Sequence, residues 1–164
     1  MQNQNIKKAY FAAGCFWGVE CHFEKLEGVI SAISGYMGGH IENPSYQMVC
    51  TGFSGHLEVV EVTFDETIVS FETLAKLFFE IHDFTQINGQ GPDIGNQYLS
   101  AIFYVDENQK NISENLIKEL REKGFKVATS LYELVPFYEA EEYHQDYYAR
   151  HQKVPYCHSH KKIF

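Results

Sequence analysis

Between residues 56 and 65 the chain reads HLEVVEVTFD, and its alternate positions fall into two sets. Leu57, Val59, Glu61 and Thr63 form one; Glu58, Val60, Val62 and Phe64 form the other. A period of two over this length predicts a strand with both faces engaged, one of them carrying the Glu58 carboxylate beside Val60 and Val62. Residues 7–13, 28–36, 97–105 and 126–135 read as further strands. A helix is expected over 17–26, with Phe23 and Leu26 on one face. A second covers 71–82, where Phe71, Leu74, Phe78 and Ile81 share a stripe behind Ser70 as N-cap. A third opens at Asp106, with Gln109 at capping-box spacing, buries Ile112, Leu116 and Leu120, and ends at Gly124. Residues 37–55 are a loop, as are 83–96, which hold three glycines and Pro92.

The order β-α-β-β-α-β-α-β predicts an α+β fold. It contains the split βαβ pattern of a two-layer, ferredoxin-like sandwich, with a mainly antiparallel sheet and helices on one face. Residues 137–164 are left over as a long irregular tail, partly helical around 140–151. A single domain over 1–164 is expected, with a core of about 7–136 and the tail as an appendage.

Charge narrows the function. Thirteen Lys and Arg against 22 Asp and Glu leave a net charge of −9. A nucleic-acid binder needs a positive field toward the phosphates, so that class is excluded. No apolar run approaches the roughly 20 residues needed to span a bilayer, and MQNQNIKK lacks the apolar stretch of a secretory signal. A cytoplasmic protein with no membrane partner is expected. The 11 Tyr and 13 Phe suit a dense core or an aromatic-lined pocket.

Four cysteines stand at 15, 21, 50 and 157. In a reducing compartment they are thiols at rest, and no C-x-x-C pair supports a cysteine-only zinc site. The run Cys157-His158-Ser159-His160 lacks a second ligand cluster at metal spacing, so no metal is expected. Cys15 falls where a strand hands over to a helix. Unpaired N–H groups and the helix dipole there lower a thiol pKa, while the bland alternative is an inert buried thiol. Phe16 and Trp17 beside it form either an apolar cup for a small thioether group or ordinary core. Two other functions remain open on these residues alone. One is a cysteine hydrolase in which a histidine deprotonates Cys15. The other is a metal-binding or redox-sensing module built on the cysteines and the tail.

The motifs taken in order carry a resemblance. Gly14-Cys15-Phe16-Trp17-Gly18, Gly35-Tyr36-Met37-Gly38-Gly39, Asn43-Pro44-Ser45-Tyr46, Gly55-His56-Leu57-Glu58 and Asp93-Ile94-Gly95-Asn96-Gln97-Tyr98 are followed by Ala140-Glu141-Glu142-Tyr143-His144-Gln145 and Tyr156-Cys157. Over residues 7–157 the chain resembles the A-type peptide-methionine sulfoxide reductases, which act on the S epimer. The resemblance implies Cys15 as nucleophile, and Phe16 and Trp17 as the pocket for the substrate's methyl group. It also implies Glu58 as the acid near the sulfoxide oxygen, Tyr46 and Tyr98 as hydroxyls on that oxygen, Asp93 as an acidic residue beside the site, and Cys157 as the resolving cysteine. The chemistry agrees with these residue types. A sulfoxide sulfur is a poor electrophile until its oxygen is protonated, and an aromatic-rich pocket is expected to raise the pKa of Glu58 by desolvation. Attack by Cys15 yields a sulfenic acid, Cys157 condenses with it to a disulfide, and an external dithiol, expected to be thioredoxin, reduces that. No cofactor is implied. Oxidised proteins or peptides and free methionine sulfoxide are the expected substrates, and a monomer is expected. Four positions, in three places, depart from the family pattern. Leu57 and Val59 flank Glu58 where small alanines are usual, which predicts a bulkier pocket floor. Leu99 replaces a frequent arginine after Tyr98, and Phe84 a common proline. Cys21 and Cys50 are expected to be packing thiols, and His56 and His144 structural hydrogen-bonders.

Overall fold

A computed structural model describes residues 5–151 and 158–164. In chain order the elements are β1 (Ile6–Ala13), α1 (Phe16–Glu24), β2 (Val29–Met37), α2 (Tyr46–Cys50), β3 (Leu57–Asp65), α3 (Phe71–Glu80), β4 (Gly89–Gln90), β5 (Asp93–Ile94), β6 (Ser100–Tyr104), α4 (Glu107–Glu122), β7 (Ser130–Glu133), β8 (Tyr138–Glu139) and α5 (Tyr147–His151). One sheet runs β7-β6-β1-β3-β2-β8, and β4 and β5 form a separate small pair. The four central strands, β6, β1, β3 and β2, are antiparallel to one another, as is β8 to β2; β7 runs parallel to β6. The fold is therefore α+β with a mainly antiparallel sheet.

The expected helix signals hold at atomic level. Ser70 Oγ accepts the Thr73 N–H at 3.1 Å, and Asp106 Oδ1 accepts the Gln109 N–H at 2.8 Å. The return arm of the capping box differs. Gln109 Oε1 takes the Val105 N–H at 3.0 Å while its Nε2 donates to Lys8 O at 2.9 Å, so the side chain ties α4 to β1. Gly124, at φ +96°, ends α4 with the Phe125 N–H on Leu120 O and the Gly124 N–H on Arg121 O. That doubled bond is the Schellman closure, which needs a left-handed residue at this place.

Period two in β3 separates two cores. Val60, Val62 and Phe64 join Phe11, Phe23, Phe71, Leu74, Phe78, Leu116 and Leu120 in the main core beneath α1, α3 and α4. Leu57 and Val59 join Tyr10, Ala12, Met37, Ala101 and Phe103 in a smaller cluster on the opposite face. This corrects the expectation for the pocket floor. Leu57 and Val59 point away from Glu58, because side chains one position apart on a strand leave by opposite faces, so their bulk cannot narrow the Glu58 pocket. Leu99 packs on the same opposite cluster. Phe84 enters the main core, edge-on to Phe79 at 5.5 Å and to Phe125 at 5.2 Å.

Two predicted boundaries move. The strand expected over 97–105 is preceded by a 3-10 turn, Asn96–Tyr98, after Gly95 at φ +148°. The segment expected to be an irregular tail supplies the edge strand β8, while its 3-10 turn (Glu142–His144) and α5 fall within the stretch expected to be partly helical. No helix among the described residues is long and apolar enough to cross a membrane.

Candidate active site

Cys15 occupies the N-cap position of α1, with no side-chain capping bond, and is buried. The turn before it depends on Gly14 at φ +89°, where a Cβ would also lie 2.5 Å from Gln90 Cβ. Gly18 is needed for a different reason: a Cβ there would come within 2.1 Å of His158 Nδ1. The glycines flanking the thiol thus admit the protein's own side chains, Gln90 and His158. His158 Nε2 bonds Ala13 O at 2.6 Å, tying residues 158–164 back to the end of β1.

The first orphan donor of α1 is satisfied from the sheet. Phe16 N–H donates to Glu58 Oε1 at 3.2 Å, across 42 residues of sequence. A carboxylate at a helix N-terminus gains from both the hydrogen bond and the dipole. Glu58 is 2% exposed, and its charge acts on Tyr36, Tyr46 and Tyr98, which come from β2, α2 and the turn before β6. All three hydroxyls have pKa values raised above 10, first by burial and then by neighbouring charged or hydrogen-bonding groups, so they remain protonated donors throughout the neutral range. Asp93, in β5, adds to that effect on Tyr98. Cys15, Phe16, Glu58, Tyr46, Tyr98 and Asp93 are thereby gathered at one end of the sheet.

Trp17 closes the side of the site. Its indole stacks on Tyr147 at 3.7 Å and 8°, and its Nε1–H donates to His144 Nδ1 at 3.0 Å. Phe16 packs against Tyr36 at 5.7 Å and His144 at 5.1 Å. Two residues around the site, Glu141 and Tyr147, were given no role from the sequence. Glu141 accepts the Tyr36 O–H at 3.0 Å and the Tyr46 N–H at 3.0 Å, and so fixes two site elements at once. Burial opposes charge on Glu141, but those bonds outweigh it and its pKa lies below the ordinary value. Tyr147 is the other, while His144 is a hydrogen-bonder, as expected.

Cys157 lies outside the described residues. Cys21 is half-buried. Cys50 departs from its expected packing role: it is exposed at the end of α2, its thiol hydrogen-bonds the Tyr46 hydroxyl, and burial of the sulfur raises its pKa. His56 is structural, accepting the Gly39 N–H at Nδ1 and bonding Ile41 O through Nε2. A cavity of about 790 Å³ lies on the opposite face, among Leu57, Leu99, Phe103 and Tyr132, and none of the expected site residues lines it.

The family model described as peptide methionine sulfoxide reductase matches residues 7–164. Peptide methionine sulfoxide reductase MsrA of Nautilia profundicola is 49% identical over 152 residues, covering 93% of this chain and 88% of that protein. The protein of the same name from Saccharolobus solfataricus is 48% identical, covering 93% of this chain and 86% of its own length. Among solved structures, Mxr1 from Saccharomyces cerevisiae in reduced form superimposes with a TM-score of 0.89 at 31% identity, over 99% of this chain and 95% of that one. Methionine sulfoxide reductase A of Corynebacterium diphtheriae gives 0.82 at 33% identity, over 94% of this chain and 79% of that one.

Proposed function

Because the chain belongs to the peptide methionine sulfoxide reductase family and is an oxidoreductase, we propose that it reduces the S epimer of methionine sulfoxide, in proteins and as the free amino acid, with Cys15 as nucleophile. The observation that carries this reading is the bond from Phe16 N–H to Glu58 Oε1. It sets a buried carboxyl one residue from the thiol, among three tyrosine hydroxyls and two aromatic walls.

The substrate's S-methyl group lies against Phe16 and Trp17, and its oxygen lies among Glu58, Tyr46 and Tyr98, beside Asp93. Cys15 attacks the sulfoxide sulfur as thiolate while Glu58 delivers a proton to the oxygen. The tyrosine hydroxyls hold that oxygen as charge moves through it. The hydroxyl passes to Cys15 Sγ as the substrate's sulfur–oxygen bond and the sulfur–sulfur bond made by the attack both break, so methionine leaves reduced by two electrons and Cys15, oxidised by two, becomes a sulfenic acid. The Cys157 thiol then displaces water to form a disulfide. Thioredoxin, a dithiol protein, accepts the disulfide exchange and restores both thiols. No metal or organic cofactor enters any step. We read residues 1–164 as one cytoplasmic, monomeric reductase unit, with a core of about 7–136 and Cys157 carried in the segment 137–164.

Methyl cup, oxygen site and line of attack together define one hand at sulfur. Purified protein with dithiothreitol, given resolved epimers, is therefore expected to reduce the S form alone. Equal turnover of both overturns the reading.

A further inference from the structure

His144 is fully buried (0% exposed). Its Nδ1 accepts the Trp17 indole N–H at 3.0 Å, so Nδ1 carries no proton, and the ring hydrogen of the neutral imidazole is on Nε2. Nε2 is itself buried and has no hydrogen-bond partner among the described residues. Leaving a buried donor unsatisfied is costly, and each such group calls for a reason. An apolar ring would fill the space between Tyr46, at 4.4 Å, and Tyr143, at 4.1 Å, without that cost. What an apolar ring cannot supply is the acceptor for Trp17.

We propose that His144 is the positioning residue of the methyl pocket: its unprotonated Nδ1 fixes the rotation of the Trp17 indole from one side while Tyr147 stacks on its face from the other. Trp17 is only half-buried, so without this bond its N–H can turn to water and the wall loses its fixed orientation. The inference rests on the reading of Trp17 as the wall of the methyl pocket. Protonation at Nδ1 removes the acceptor, so the pocket is closed only while His144 is neutral. Burial lowers the His144 pKa below 6.5, against the attraction of Glu141. The other titratable groups facing the ring are Tyr143 on its own segment and Tyr46 on α2; the contacts from α1, Phe16 and Trp17, carry no charge.

Trp17 is the only tryptophan in the chain, so its emission reads this bond directly. Emission, KM and saturated single-turnover rate are compared across acid to neutral pH for the intact protein, His144→Leu, His144→Asn and Trp17→Ala. Asn places an amide oxygen where Nδ1 stands and does not titrate. His144→Leu is expected to shift the emission and raise KM about tenfold, the scale of one neutral hydrogen bond, with the single-turnover rate little changed. His144→Asn is expected to restore both and to abolish the acid-side rise in KM. The proposal is overturned if His144→Leu moves neither emission nor KM, or if His144→Asn behaves as His144→Leu does, since the ring then only fills space. Failure of the underlying reading looks different: Trp17→Ala then leaves KM unmoved. If this proposal alone fails, Trp17→Ala raises KM and His144→Leu does not.

Discussion

Strand β3 carries two buried glutamates three positions apart, and each lies directly across from a tyrosine on a neighbouring strand. Glu61 pairs with Tyr10 of β1, and Glu58 with Tyr36 of β2. On the Glu61 face the tyrosine gives its hydroxyl to the carboxylate at 2.8 Å, and Lys8 adds an ion pair at 3.4 Å. On the Glu58 face the tyrosine gives its hydroxyl to Glu141 instead, at 3.0 Å, and Glu58 takes the helix N–H beside the thiol. The first arrangement is made from adjacent strands and is complete within the sheet. The second needs α1, α2, the turn before β6 and the segment after β8. A buried carboxylate becomes chemical when groups from several elements converge on it, and structural when its cross-strand neighbours satisfy it.

The largest effect should come from the tail thiol. With thioredoxin as sole reductant, Cys157→Ser is expected to reduce one equivalent of sulfoxide and stall, with Cys15 trapped by dimedone as a sulfenic acid. Cys21→Ser and Cys50→Ser should keep cycling. Continued turnover in Cys157→Ser would assign resolution to another thiol, and the exposed Cys50 on Tyr46 is then the first to test.

Satisfied buried groups should show themselves in stability rather than in rate. His82 donates from Nδ1 to Phe78 O at 2.6 Å, and its Nε2 accepts from Ser100 Oγ at 2.8 Å. Burial brings its pKa down to about 3 from 6.5. The folded state therefore favours neutral His82. Its stability is fully present above pH 6.5 and is lost as pH falls toward 3, by on the order of 5 kcal/mol at the low end. Urea midpoints against pH should show this acid limb, flattened in His82→Asn; an identical limb in the variant contradicts the assignment.

Removing one hydroxyl proposed to hold the sulfoxide oxygen, Tyr98→Phe, should slow single turnover roughly 10²-fold with little change in urea midpoint. Tyr10→Phe on the opposite face should do the reverse, costing about 1–2 kcal/mol in the urea midpoint while single turnover stays near that of the intact protein. If the two variants exchanged these signatures, the division between the faces would be wrong.

Much of this division was legible in the sequence, because period two in residues 57–64 sorts side chains by face before any tertiary contact is known. The same rule, applied to Leu57 and Val59, would have placed them away from the pocket; family comparison at single positions suggested otherwise. Glu141 was not legible as a site residue. Its role comes from bonds to Tyr36 and Tyr46, separated from it by 105 and 95 positions, and local spacing holds no trace of such bonds. The β8 strand was missed because two residues pairing with β2 are too short to show a period.

The central claim is that Glu58, and not Glu61, supplies the proton. Its most direct test is single-turnover reduction of an S-sulfoxide by Glu58→Gln and Glu61→Gln, without a recycling reductant. Glu58→Gln keeps the shape and a hydrogen bond but has no transferable proton, and should be slower by roughly 10²–10⁴, whereas Glu61→Gln should match the intact protein. A Glu58→Gln rate equal to that of the intact protein would contradict the account and move the acid elsewhere.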